Sequence, residues 1–170
     1  MNAGGKYGTA DFKWYQLPAS VITEGFACVV QHLTPELVFL EKMMNHPNGA
    51  IDLVGVGAVV PDLEEAFARY QRLPGAERKS FIMGRSIVFK DQRIIVIDAK
   101  GFRALFPDAH CPEPPCFASY SIRVKDIAAT RALLAKNGVP FHVWGADGIW
   151  VQPEYACGAV MVFVDHDAPI

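Results

Sequence analysis

Two stretches of the chain carry nearly the same order of hydrophobic and polar positions. Val59-Val60-Pro61-Asp62-Leu63-Glu64-Glu65-Ala66-Phe67 and Arg123-Val124-Lys125-Asp126-Ile127-Ala128-Ala129-Thr130-Arg131 each run from the end of an apolar segment, through an aspartate, into an amphipathic stretch. In the first, Ile51 to Val60 is long and β-branched enough for a strand buried on both faces. Asp62 suits an N-cap, and Leu63, Ala66, Phe67, Tyr70 and Leu73 share one helical stripe that ends at Pro74-Gly75. Ser80 to Phe89 and Gln92 to Ile97 predict strands turned at Lys90-Asp91, and Phe102 to Phe106 a short helical turn. In the second, Phe117 to Val124 alternates as a strand, Asp126 caps a helix over Ile127 to Lys136, and Asn137-Gly138 stops it. Strands follow at Phe141 to Trp144, Gly148 to Gln152 and Ala159 to Asp165, the first two turned at Asp147-Gly148. The unit is βαβββ, present twice, with the third hairpin strand less clear in the first copy. Duplicated units of this size pack together and leave a cleft between them.

The part before the first unit follows a different pattern. Residues 1–10 read as a flexible tail, while Asp11 to Leu17 and Gly25 to His32 predict two extra N-terminal strands. Thr34-Pro35-Glu36 is a helix opening, Leu37 to Met44 is compatible with helix or strand, and His46-Pro47-Asn48-Gly49 is a turn. The expected division is a tail (1–10), N-terminal strands and a loop completing the sheet (11–50), a first module (51–106), a Pro-rich linker (107–116) and a second module (117–170).

Composition narrows the function classes. A formal charge of −2, with 16 basic residues spread along the chain, excludes the basic stripe of a nucleic-acid binder. No apolar run approaches the roughly 18–20 residues of a membrane span, and Met1 to Gly5 lacks the features of a secretory signal. The expected compartment is the cytoplasm, without nucleic-acid or membrane partners. Cys28, Cys111, Cys116 and Cys157 do not make a disulfide scaffold. His110-Cys111-Pro112-Glu113-Pro114-Pro115-Cys116 has no second ligand pair for a structural zinc and reads as a Pro-rich loop.

Candidate binding residues are His32, Glu36, His46, Asn48 and His142, with Trp144 and Trp150. His32 and Glu36 either form a ligand pair or fix a strand-to-turn junction, and His46 with Asn48 either joins a pocket or shapes a turn. The aromatic residues suit the wall of a small-molecule pocket or a core. Ser80 and Ser86 have no context of an activated nucleophile. Gly55-Val56-Gly57 lies inside a strand, not at a phosphate-binding turn.

The tandem βαβββ order resembles the vicinal oxygen chelate superfamily, which includes glyoxalase I, extradiol dioxygenases and drug-binding resistance proteins. His32-Leu33-Thr34-Pro35-Glu36-Leu37-Val38, His46-Pro47-Asn48-Gly49-Ala50, Ala129-Thr130-Arg131-Ala132-Leu133-Leu134 and Asn137-Gly138-Val139-Pro140-Phe141 are similar to its glyoxalase-like proteins, as are Pro153-Glu154 and Ala156-Cys157-Gly158. The resemblance implies an α+β fold of paired curved mixed sheets with a cleft. It also implies a longer architecture in which residues like 11–40 close a preceding module, so that self-association into a homodimer through residues 11–33 is expected. The superfamily's metal ligands, carried over by counting, fall on Gly55, Ser119, Ile95 and Val162, which do not ligate divalent ions. Three functions follow as expectations. One is a small-molecule-binding protein without the usual four-ligand site. Another is a lyase, isomerase or dioxygenase with a divalent metal relocated to His32, Glu36 and His46. The last is a structural or dimerisation half with a filled cleft.

Overall fold

The structure is a computed structural model and describes residues 2–3 and 6–165. At the N-terminus β1 (Asn2–Ala3) pairs with β2 (Lys6–Tyr7), within the segment expected to be a tail. β3 (Phe12–Gln16) and β4 (Cys28–His32) form an antiparallel hairpin. A 3-10 turn at Pro35–Leu37 and the single-turn helix α1 (Glu41–Met44) follow, resolving the ambiguous stretch as helical. Thr34 does not cap that turn through its side chain; its Oγ1 accepts a bond from the Asp11 amide at 2.8 Å.

The first module comprises β5 (Ala50–Val59), α2 (Leu63–Tyr70), β6 (Glu77–Phe81), β7 (Gly84–Phe89) and β8 (Gln92–Ile97). After α3 (Ala99–Leu105) the second repeats the order with β9 (Cys116–Val124), α4 (Ile127–Lys136), β10 (His142–Trp144), β11 (Gly148–Val151) and β12 (Val160–Asp165). The expected single strand over 80–89 is two strands, so the first copy is complete. β6 escaped the pattern because four of its five residues are polar and exposed.

All eight module strands join one mixed sheet, in the order β10-β11-β12-β9-β5-β8-β7-β6. Within each module the first and last strands pair in parallel, and the modules meet where β5 runs antiparallel to β9. The N-terminal strands do not complete this sheet, contrary to expectation. Among the described residues β3 and β4 pair only with each other, and nearly all their residues are exposed on both faces. The loop between them is what docks. Ile22 and its neighbours pack against α2 and the outer face of β5, β7 and β8, and buried Glu24 bonds Arg69 and Tyr70 of α2.

The repeated aspartates are N-caps. Asp62 accepts from the amides of Glu64 and Glu65, both at 3.0 Å, and Asp126 from those of Ala128 and Ala129 at 2.8 and 3.0 Å. Both helices cover the outer face: α2 buries Ala66, Phe67 and Tyr70 against Ala58, Ile87 and Val96. α4 lies over Val124, Ile149 and Phe163. The connecting helix α3 goes to the other side. Its Phe102, and Phe106 just beyond it, pack with Val59, Ile97, Trp150, Val160 and Val162 on the inner face; each such buried ring is worth about 1.5–3 kcal/mol. Among the described residues, no helix is long and apolar enough to cross a membrane.

Candidate functional site

Strand register aligns the inner-face residues in rows. One row crosses the sheet as His142, Trp150, Val162, Ser121, Gly55, Arg93, Val88 and Glu77. The next same-face row carries Val160, Ser119, Gly57, Ile95, Ser86 and Lys79. The positions counted from the sequence as the superfamily's ligand sites, Gly55, Ser119, Ile95 and Val162, therefore occupy two adjacent rows on the four central strands. They share one face, but their side chains offer no donor set for a divalent ion. Among the described residues, no group of three or more His, Cys, Asp or Glu is placed to hold a metal. That covers His32, Glu36 and His46, and also His110 with the free thiols Cys111 and Cys116.

A cavity of about 380 Å³ opens on this face, lined by Lys79, Ser80, Phe81, Ser86, Val88, Arg93, Ile95, Leu105 and Trp144. Trp144 belongs to one edge strand of the sheet and Lys79 to Phe81 to the other. The sheet thus curls until its two halves face each other across the cavity, with α3 filling one part of the concavity. Gly101 makes that docking possible: a Cβ there would lie 2.5 Å from the Met83 carbonyl oxygen.

Of the residues singled out from the sequence, three come together here. The His142 ring stacks on Trp150, with centroids 4.0 Å apart and planes 8° from parallel, and its Nε2 lies 3.2 Å from the Gln152 amide nitrogen. Phe106 stands between the two indoles, 5.9 Å from Trp144 and 5.6 Å from Trp150. Trp144 reaches the cavity, whereas Trp150 is buried beneath it. The other four lie on the N-terminal segment, away from the cavity lining. His32 contacts Phe39 edge-on at 5.0 Å and Phe12 at 6.5 Å. Glu36 and His46 are exposed. Asn48 closes a turn: its Oδ1 accepts from the Ala50 amide at 3.0 Å, and its carbonyl accepts from the Thr130 hydroxyl at 2.9 Å.

The polar part of the cavity was not anticipated. Arg93 of β8 lays its stem over Gly55, where a Cβ would sit 3.4 Å from Arg93 Cγ. Its Nε is buried without an acceptor, as are Arg123 Nε and Ser86 Oγ. Burial first, and the positive charge of Arg123 second, push the Arg93 guanidinium below its usual range. The legible signal was an arginine at an inward position of an otherwise β-branched run, Arg93-Ile94-Ile95-Val96-Ile97, repeated as Ile122-Arg123-Val124.

No family model matches the chain, and no curated protein matches it. Solved structures do. Methylmalonyl-CoA epimerase from Mycobacterium tuberculosis superposes with a TM-score of 0.54 at 20% identity, over 74% of this chain and 94% of that one. A hypothetical protein from Bacillus halodurans gives 0.52 at 14% identity, over 70% and 96%. Streptomyces coelicolor methylmalonyl-CoA epimerase in complex with 2-nitronate-propionyl-CoA gives 0.51 at 12%, over 70% and 99%. At these identities the likeness is one of fold. Tandem βαβββ modules, one curled eight-stranded sheet and these superpositions show that the chain has a glyoxalase-like fold.

Proposed function

We propose that the protein binds a small organic molecule in the cavity between the two half-sheets. The observation that carries this reading is the cavity itself: about 380 Å³, with Phe81, Ile95, Leu105 and Trp144 as apolar wall and a few polar groups among them. That is the usual make-up of a small-molecule site. A purely structural half would have closed the cleft, and α3 closes only part of it. Structural neighbours supply support of a general kind, since a methylmalonyl-CoA epimerase is described in complex with methylmalonyl-CoA and NH4+. The reading is of a binder, because neither Ser80 nor Ser86 is hydrogen-bonded to a base among the described residues.

The test is a panel of planar aromatic compounds read by thermal shift and by tryptophan emission. Wild type responds. Ile95→Phe, which fills the cavity from its floor, loses both responses, while Trp144→Phe keeps the thermal shift and loses most of the quenching. A panel without a response, or an Ile95→Phe variant that responds like wild type, refutes the site.

The hairpin of β3 and β4 supports a homodimer as well. Phe12, Trp14, Tyr15, Val29 and Val30 are exposed together, and both strands keep an unpaired edge. Light scattering at micromolar concentration is expected to give twice the chain mass, and Trp14→Glu to halve it. A monomer mass for wild type sinks this part.

A further inference from the structure

We propose that the cavity recognises an anionic group, a carboxylate or a phosphate, through Arg93 and Ser86, with the apolar remainder of the same ligand against Trp144, Ile95 and Leu105. This rests on the small-molecule reading above and names the ligand class. Arg93 and Ser86 both line the cavity, from neighbouring strands on which Ser86 faces Ile95 and Val88 faces Arg93. The Ser86 hydroxyl is buried and has no partner. Arg93 is half-buried, and it takes part in none of the ion pairs among the described residues, which are Arg69–Glu24, Arg69–Glu65, Arg85–Glu64 and Lys90–Asp91.

Its surroundings add positive charge. Arg123, on the same face, repels it and joins none of those ion pairs among the described residues, and Lys79 stands on the cavity lining. Two acids lie in register beside these positions: Asp52, opposite Arg123, and Glu77, opposite Val88 beside Arg93. Both are exposed, and neither closes an ion pair among the described residues. A guanidinium held out of water without a counter-charge is unfavourable unless something completes it. A planar fork of N–H donors matches a carboxylate or a phosphate by two parallel hydrogen bonds. An adjacent free hydroxyl supplies a further donor at the same spot. Arg93 and the buried, partnerless Ser86 on the cavity lining, with Arg123 adding like charge from the same face, are thus completed together by one anion.

Three probes of one shape separate the possibilities: 2-naphthoate, 2-naphthyl phosphate and the neutral 2-naphthamide, titrated by tryptophan emission and thermal shift. At least one anion is expected to bind tenfold or more tightly than the amide, with a preference that shrinks in high salt. The tighter of the two anions identifies the group. Arg93→Met keeps the stem over Gly55 and is expected to abolish the preference, while the ligand-free melting temperature stays unchanged or rises because a repulsive charge is gone. Ser86→Ala weakens both anions and spares the amide. Equal binding of all three probes overturns the anion site and leaves the small-molecule reading standing; no binding of any probe overturns both. An Arg93→Met variant that keeps the preference removes Arg93 from the site. One that melts far below wild type makes Arg93 structural, and Arg123→Met, read in the same way, then decides whether the paired charges attract the anion.

Discussion

The buried contact between Glu24 and α2 tests how the N-terminal segment is held. Glu24 is enclosed, and its two carboxylate oxygens accept from Arg69 at 2.7 and 3.1 Å and from the Tyr70 hydroxyl at 2.8 Å. The same Arg69 also bonds Glu65 through Nε at 3.0 Å, but Glu65 is more than half exposed. One cation therefore has two carboxylates that differ mainly in burial. Breaking a buried pair costs about 3–5 kcal/mol. Because Glu65 still offsets the Arg69 charge in Glu24→Gln, the lower end, about 3 kcal/mol, is expected. At about 2–4 °C per kcal/mol for a domain of this size, that is a fall of about 6–12 °C. Glu65→Gln removes an exposed i,i+4 pair worth about 0.3–0.5 kcal/mol, a shift of about 2 °C at most. Scanning calorimetry on the two variants gives the comparison. Burial alone pushes the Glu24 carboxyl up, but hydrogen bonds from Arg69 and Tyr70 outweigh it and hold the group below the usual carboxylate range. Its contribution is then fully present above the unfolded carboxylate pKa of about 4.3 and is lost as pH falls through the folded value. The gap between wild type and Glu24→Gln should close in acid. Equal costs for the two variants, or a gap that widens as the pH drops below 4, refute the reasoning.

Two further outcomes follow from the same contacts. Gly101→Ala places a Cβ 2.5 Å from the Met83 carbonyl oxygen and 3.3 Å from Ile97 Cβ, so α3 must move. A loss of about 1–3 kcal/mol in urea unfolding is expected, and an unchanged midpoint would mean that the helix is not docked as described. Asp126→Ala removes both N-cap bonds of α4 and should cost about 1 kcal/mol, against nearly nothing for the exposed Lys125→Ala control in the same denaturation assay.

Much of the architecture was legible because the duplicated signal is strong: each aspartate caps a helix, and each helix buries an apolar stripe. β6 was hidden because an exposed edge strand needs no hydrophobic alternation, and Glu77-Arg78-Lys79-Ser80-Phe81 shows none. The fate of the N-terminal strands was hidden for another reason. Phe12, Trp14 and Val29 have the composition of paired strands, but composition does not say which strand they pair with. At the cavity, the aromatic side was visible as His142, Trp144 and Trp150, since large rings near strand ends suggest either core or pocket. The polar side was not, because a single arginine on a strand carries no periodicity. What gives Arg93 and Arg123 meaning is the absence of an ion pair at either one among the described residues, although they share one face of the sheet, and the pattern along the chain does not bring that out.

That absence links the two halves of the inner face. The positions expected to supply the superfamily's carboxylates hold Ile95 and Val162, and the one expected to supply a first-strand ligand in the first module is Gly55. Ile95 lies two residues from Arg93 on the same face of β8, and Val162 shares its row. A glutamate at position 95 would stand near the guanidinium and offset its charge. A histidine at Gly55 would occupy the space through which the Arg93 stem runs. The apolar residues at these positions and the arginine without an ion pair among the described residues therefore go together. Glu77, the one acid on these two rows, is exposed at the sheet edge and forms no ion pair with Arg93 among the described residues, so the positive charge at the centre of the sheet stays available to a ligand from outside.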